Sequence, residues 1–105
     1  PVLQAVADAL LATPSIKHVA VEGHTDDRGK PEHNMELSDR RARSVMTFLV
    51  EHHIDADRLV AQGFGQTRPI SSNKTTAGRA TNRRVEFHIL DNNTAGDVQP
   101  IETTP

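Results

Sequence analysis

One stretch constrains the fold more than any other: residues 22–43, EGHTDDRGKPEHNMELSDRRAR. A short apolar run ends in glycine, a polar loop follows, and an amphipathic helix begins. Before it, residues 16–22 read as a strand. Lys17, Val19 and Val21 share one side of the pleat, and His18, Ala20 and Glu22 take the other. Gly23 ends the pattern and permits close backbone approach. Gly29 and Pro31 mark turns in the polar loop, residues 24–34. A strand that runs through a loop into a helix calls for a sheet with helices packed on it. In open α/β sheets the loop at such a strand's end is where ligands tend to bind.

The rest of the chain supplies the other layers. Residues 2–12 predict an amphipathic helix, with Val2, Val6 and Leu10 four apart and Leu3 and Ala9 beside them, stopped by Pro14. Residues 37–52 predict a second helix with the stripe Ala42, Val45, Met46 and Leu49. Ser38 is its expected N-cap and Asn34 the alternative. That start puts Arg41 in the first turn, where the helix dipole favours anions, so its charge there would serve something other than the helix. Residues 54–58 connect to a strand over 59–64. A polar loop over 66–82 follows, long enough to be functional or flexible. In the strand 84–90, Val85, Phe87 and Ile89 alternate with Arg84, Glu86 and His88. The expected architecture is α+β, an α/β sandwich: a mixed β-sheet with two helices packed on it. Residues 1–90 form the domain, and residues 91–105, poor in apolar side chains, read as a polar disordered tail or linker.

Composition narrows the function classes. The core must be aliphatic, because Phe48, Phe64 and Phe87 are the only aromatic residues besides the histidines. Stacking platforms for sugars or single-stranded nucleic acid are therefore poorly supplied. A net charge of −2 gives no basic field for a phosphate backbone. There is no cysteine, hence no disulfide frame, thiol nucleophile or Cys-zinc site. No stretch reaches the roughly 18 apolar residues of a membrane span. The six histidines, His18, His24, His33, His52, His53 and His88, lack the i, i+4 helical pairing of a zinc site and read as scattered surface residues. No cofactor is implied. Gly63–Phe64–Gly65 lacks the Gly-Lys-Ser/Thr ending of a phosphate loop. The adjacent acids Asp26 and Asp27 have no nucleophile and base beside them.

Three segments in order, GHTDDRGKPEHNMELSDRRA, QGFGQTRP and NKTTAGRATNRRVEF, resemble the OmpA-like C-terminal domain. This is the peptidoglycan-binding module also found in peptidoglycan-associated lipoproteins and flagellar stator proteins. The resemblance runs from about Val2 to Ile89, and it implies a structural role for His24 of the GHTD segment. It implies a strand before Val2, which this sequence does not contain. The chain, opening on Pro1 within a helical pattern, is accordingly expected to be part of a longer protein whose sheet edge the missing strand would cover.

The resemblance implies a non-catalytic domain that grips the peptide stem of Gram-negative peptidoglycan through meso-diaminopimelate. Carried over by motif, Asp26 would take the ammonium and Arg41 the carboxylate of that zwitterion, with Thr25, Asn34, Leu37 and Arg83 as supporting contacts and Asp27 a weaker candidate. The physical logic is sound in its own right: a carboxylate and a guanidinium either side of a pocket match a zwitterion through charge-assisted hydrogen bonds, and the guanidinium fork can hold a carboxylate bidentately. Read singly, each residue has an ordinary role. Asp26 would turn its loop, and Arg41 would pair with Glu36, Asp39 or Glu22 at the surface. The expected setting is the periplasmic face of the outer membrane, in a membrane-associated parent protein, and a homodimer is compatible with it. Two alternatives stay open. One is an envelope protein-interaction module using loop 66–82. The other is a wall-hydrolase fragment using Asp26 and Asp27.

Overall fold

The computed structural model describes residues 2–90 and 98–101. Helix α1 (Val2–Ala12) leads into strand β1 (Val19–Gly23), helix α2 (Pro31–Glu51), a 3-10 turn (Ala56–Arg58), strand β2 (Leu59–Gly63), helix α3 (Thr76–Asn82), and strands β3 (Val85–Leu90) and β4 (Val98–Ile101). The sheet order is β2-β1-β3-β4. β1 runs parallel to β2, with α2 as the crossover, and antiparallel to β3, with Val21 opposite Phe87 and Glu22 opposite Glu86. The mixed sheet, with α1 and α2 contributing to one core, is the expected α+β architecture.

That core is aliphatic apart from Phe87. Val6, Ala7 and Leu10 of α1 and Ala42 and Leu49 of α2 meet Val19 and Val21 of β1, Leu59 of β2 and Phe87 of β3. The buried stripe of α1 is Val6, Ala7 and Leu10 with Leu3 packed beside it, whereas Val2 is exposed. After α1, the Arg58 guanidinium donates to the carbonyls of Thr13 (3.2 Å) and Ile16 (2.6 Å), tying the turn at Pro14 to the 3-10 turn before β2.

Three sequence expectations need correcting. Helix α2 starts at Pro31, six residues before the expected start, with Lys30 as its N-cap and no side-chain capping bond. Pro31 occupies the first turn, where its fixed φ suits the helix and its missing N–H costs nothing. Arg41 therefore lies mid-helix, and the dipole argument for it falls. Second, loop 66–82 is not structureless: residues 76–82 are α3, capped by Thr75 Oγ1 accepting from the Gly78 N–H. It was hidden because its only buried residues are Gly78 and Asn82, which leave no apolar stripe. Third, the polar tail contains β4, which pairs with β3 at Phe87–Leu90. Proline at position 100 is compatible with a strand only at an edge or a bulge, and β4 is the outer strand. The remainder of the tail lies outside the described residues.

Candidate functional site

The site is built where β1 ends. Gly23 O accepts from the Phe64 N–H, the His24 N–H donates to Arg84 O, and the Thr25 N–H donates to Gly65 O, each at 2.9 Å. Main chain from both sides thus fixes the first residues of the loop before any side chain acts. Helix α2 crosses directly over this point. Ser38, fully buried, donates from Oγ to Met35 O (2.9 Å) and accepts there from the Gly65 N–H (2.8 Å). The expected N-cap is instead the fastening between helix and loop.

Asp26 follows, 8% exposed. Its Oδ1 accepts from the Arg28 N–H (3.0 Å) and its Oδ2 from Arg83 Nη1 (2.7 Å). Burial pushes the carboxyl pKa up, but the Arg28 N–H and the Arg83 guanidinium outweigh it, leaving the group below its ordinary value and ionised at neutral pH. Asp27 beside it is exposed. Asn34 is buried and spent on scaffolding: its Nδ2 donates to Arg28 O (2.9 Å) and Gln66 Oε1 (2.9 Å) and approaches Asp26 O at 3.4 Å. Thr25 is buried too, with Oγ1 donating to Asp26 O (2.7 Å). Both residues shape the loop that aims Asp26.

Arg41 is exposed in the middle of the 21-residue α2, one turn beyond half-buried Leu37. Two of the three partners that an ordinary surface role would give it are engaged elsewhere. Asp39 accepts from Arg43 Nε (2.8 Å), and Glu22 faces Arg68, His24 and His88. Among the described residues Arg41 has no hydrogen bond or ion pair. With Arg83 it lines a cleft of about 260 Å³ whose walls include Leu3, Val45, Val85 and Phe87. Arg83 is the link: it lines the cleft and binds Asp26. The structure thus assembles Thr25, Asp26, Asn34 and Arg83 by direct contact, and joins Arg41 to them through the shared cleft.

Sequence reasoning missed a second polar cluster under the loop. Arg84, 7% exposed, donates to Glu86 Oε2, to Asn82 O (3.1 Å) and to Arg68 O (2.8 Å). Arg68 lies 3.8 Å over the Phe64 ring, which stacks on His24. His24 is 1% exposed, which fits the structural role that its GHTD segment implied and sets it apart from the surface histidines. Its burial, then the nearby Arg84 charge, pushes its pKa down to about 4. At neutral pH it is uncharged, and its approaches to Glu22 (3.6 Å) and Glu86 (4.0 Å) are not ion pairs. The strand pattern could have indicated that Glu22, Glu86 and His88 share a face, but their register required the fold.

The OmpA family profile matches residues 1–83. Outer membrane protein A of Bordetella avium is 47% identical over 75 residues, which is 71% of this chain and 39% of that protein. This chain therefore spans less than half of that relative. Among solved structures, the peptidoglycan-associated lipoprotein from Burkholderia pseudomallei superposes with a TM-score of 0.75 at 30% identity, covering 81% of this chain and 71% of that one. The cell wall anchor of the T6SS from Pseudomonas aeruginosa does so with a TM-score of 0.73 at 38% identity, covering 83% and 62%.

Proposed function

Because the chain belongs to the OmpA family, we propose that it binds peptidoglycan through the meso-diaminopimelate of the peptide stem and so ties its parent protein to the cell wall. It is a binding module and not an enzyme. Two of the similar proteins are described as peptidoglycan-associated and as a cell wall anchor, and the relatives are proteins of the outer membrane or envelope. For this chain we place the domain at the periplasmic face of the outer membrane.

The observation that carries the reading is the pairing of an ionised Asp26 with an unpartnered Arg41 across Arg83. A ligand carrying an amine and a carboxylate on one carbon meets the acid at one end and a free guanidinium at the other. Its ammonium would take over Asp26 from Arg83, which would swing to reinforce Arg41 on the carboxylate. A lysine stem lacks that carboxylate. Since Arg41 is exposed, discrimination rests on lost charge-assisted hydrogen bonds and not on stranding a buried charge.

An NMR titration with soluble stem peptides tests this. The diaminopimelate peptide should shift resonances of residues 25–34 and 37–42. A charge-assisted bond is worth about 1.5–3 kcal/mol, so the lysine peptide, or Arg41→Ala with the native peptide, should bind roughly tenfold or more weakly. Equal binding of both peptides would remove the proposed role of Arg41. No shifts at millimolar peptide would leave the fold without this ligand.

A further inference from the structure

We propose that Glu22, His24 and Glu86 form a site for a divalent transition-metal ion of the zinc class, held in place by His88. The four residues are brought together by the β1–β3 register and by the first residue after β1. Glu22 and Glu86 are directly opposed across the strands, with Ala20 opposite His88 two residues on. Two carboxylates set opposite each other repel unless cations intervene. Here they are approached by Arg84, Arg68 and His88, and by the neutral ring of His24.

His24 is the observation that points to an ion. It is 1% exposed, and neither ring nitrogen has a hydrogen-bond partner among the described residues. A buried polar group left unpaired calls for an explanation. Nε2 stands 3.6 Å from Glu22 Oε1 and 4.0 Å from Glu86 Oε2, too far to hydrogen-bond well. These separations are close to what an ion would require. Ligand atoms about 2.0–2.1 Å from a tetrahedral zinc stand roughly 3.4 Å from one another. One atom from each of the three residues falls within 4.8 Å of the others. A neutral imidazole with two carboxylates is a donor set for this class of metal, and it leaves a fourth coordination position for water.

His88 does for the carboxylates what outer-shell partners do in metal sites. Its Nε2 is hydrogen-bonded to Glu86 Oε1 at 2.8 Å and stands 3.3 Å from Glu22 Oε1, so it orients Glu86 and lies beside Glu22. Arg84 Nε holds Glu86 Oε2, the same oxygen that faces His24 Nε2. The ion would share that carboxylate with a guanidinium, so binding should be weaker than in a closed structural zinc site.

The test is calorimetric titration of the 105-residue chain with Zn2+, followed by nitrogen-15 NMR of the histidine rings. One zinc per chain is expected, with a large displacement of the His24 Nε2 resonance. Glu22→Gln and Glu86→Gln should each weaken binding by about tenfold or more, the size of effect that loss of even an outer-shell partner causes. These variants keep side-chain shape and avoid replacing the buried imidazole. Three results would overturn the site: no uptake at millimolar zinc, displacement confined to the exposed His18, His33 or His53, or unchanged affinity in both glutamine variants.

Discussion

Gly23→Ala should lower the unfolding free energy by about 3 kcal/mol or more, the upper end of what overpacking costs. For a domain this size that is a fall in melting temperature of more than roughly 10 °C. The cause is steric. A Cβ on Gly23 would be driven into the backbone carbonyl of Ser38, where α2 crosses the end of β1. Neither partner can yield cheaply. Gly23 is held by its ladder to β2 and β3, and Ser38 is fixed by its bonds to Met35 and Gly65. Gly29→Ala is the control. Gly29 has φ +86, but the nearest atom to its Cβ position is Asn34 Oδ1 at 3.7 Å. Its cost is backbone strain alone, about 1–2 kcal/mol. Thermal melts of both variants should separate them clearly. Equal losses would mean that the close approach of α2 is not what demands glycine at position 23.

The second large effect is expected at Asn82, the fully buried last residue of α3. Its Oδ1 accepts from the Ile70 N–H (2.8 Å) and the Ser71 N–H (2.9 Å), while Nδ2 donates to Ser71 O (2.9 Å) and Asn73 Oδ1 (2.7 Å). Four bonds at about 0.5–1.5 kcal/mol each, some rescued by water because the partners are only partly buried, put Asn82→Ala at a loss of roughly 2–4 kcal/mol. The effect has a local signature: amide exchange at Ile70 and Ser71 should accelerate well beyond that of β1. Arg83, which binds Asp26, comes directly after Asn82. Stem-peptide affinity should therefore fall as well. Unchanged exchange at those two amides would show that Asn82 does not organise the segment.

The two effects share a theme. Asp26 and Arg83 are 57 residues apart in the chain and meet at 2.7 Å. Their meeting depends on a loop pinned by Asn34 and Ser38 on one side and a segment pinned by Asn82 on the other. None of these three pinning residues lines the cleft. Ser38 replaces an expected cap and Asn82 an expected loop with a buried hydrogen-bonding role, and Asn34 is held in place by buried hydrogen bonds of its own.

What the chain determined by itself follows from short-range rules. Period-2 alternation over residues 84–90 and the i, i+3, i+4 stripe at Ala42, Val45, Met46 and Leu49 reflect which side chains can share a face, so the α+β layers were legible without coordinates. The family resemblance added Asp26, Arg41 and Arg83 as a set, which composition and spacing could not do. The start of α2 was misread although Pro31 signalled it, because two good capping residues downstream competed with it. Helix α3 was missed because it buries only Gly78 and Asn82, and strand β4 because it is a run of four residues with a proline in it. The partnering of charges needed the tertiary structure. Which cation takes Asp26, which acids leave Arg41 unpartnered and which strand sets Glu86 against Glu22 all depend on register and on a helix crossing. Ion pairs and hydrogen bonds depend on distances of a few ångströms between residues far apart in sequence, and only the packed fold sets those distances.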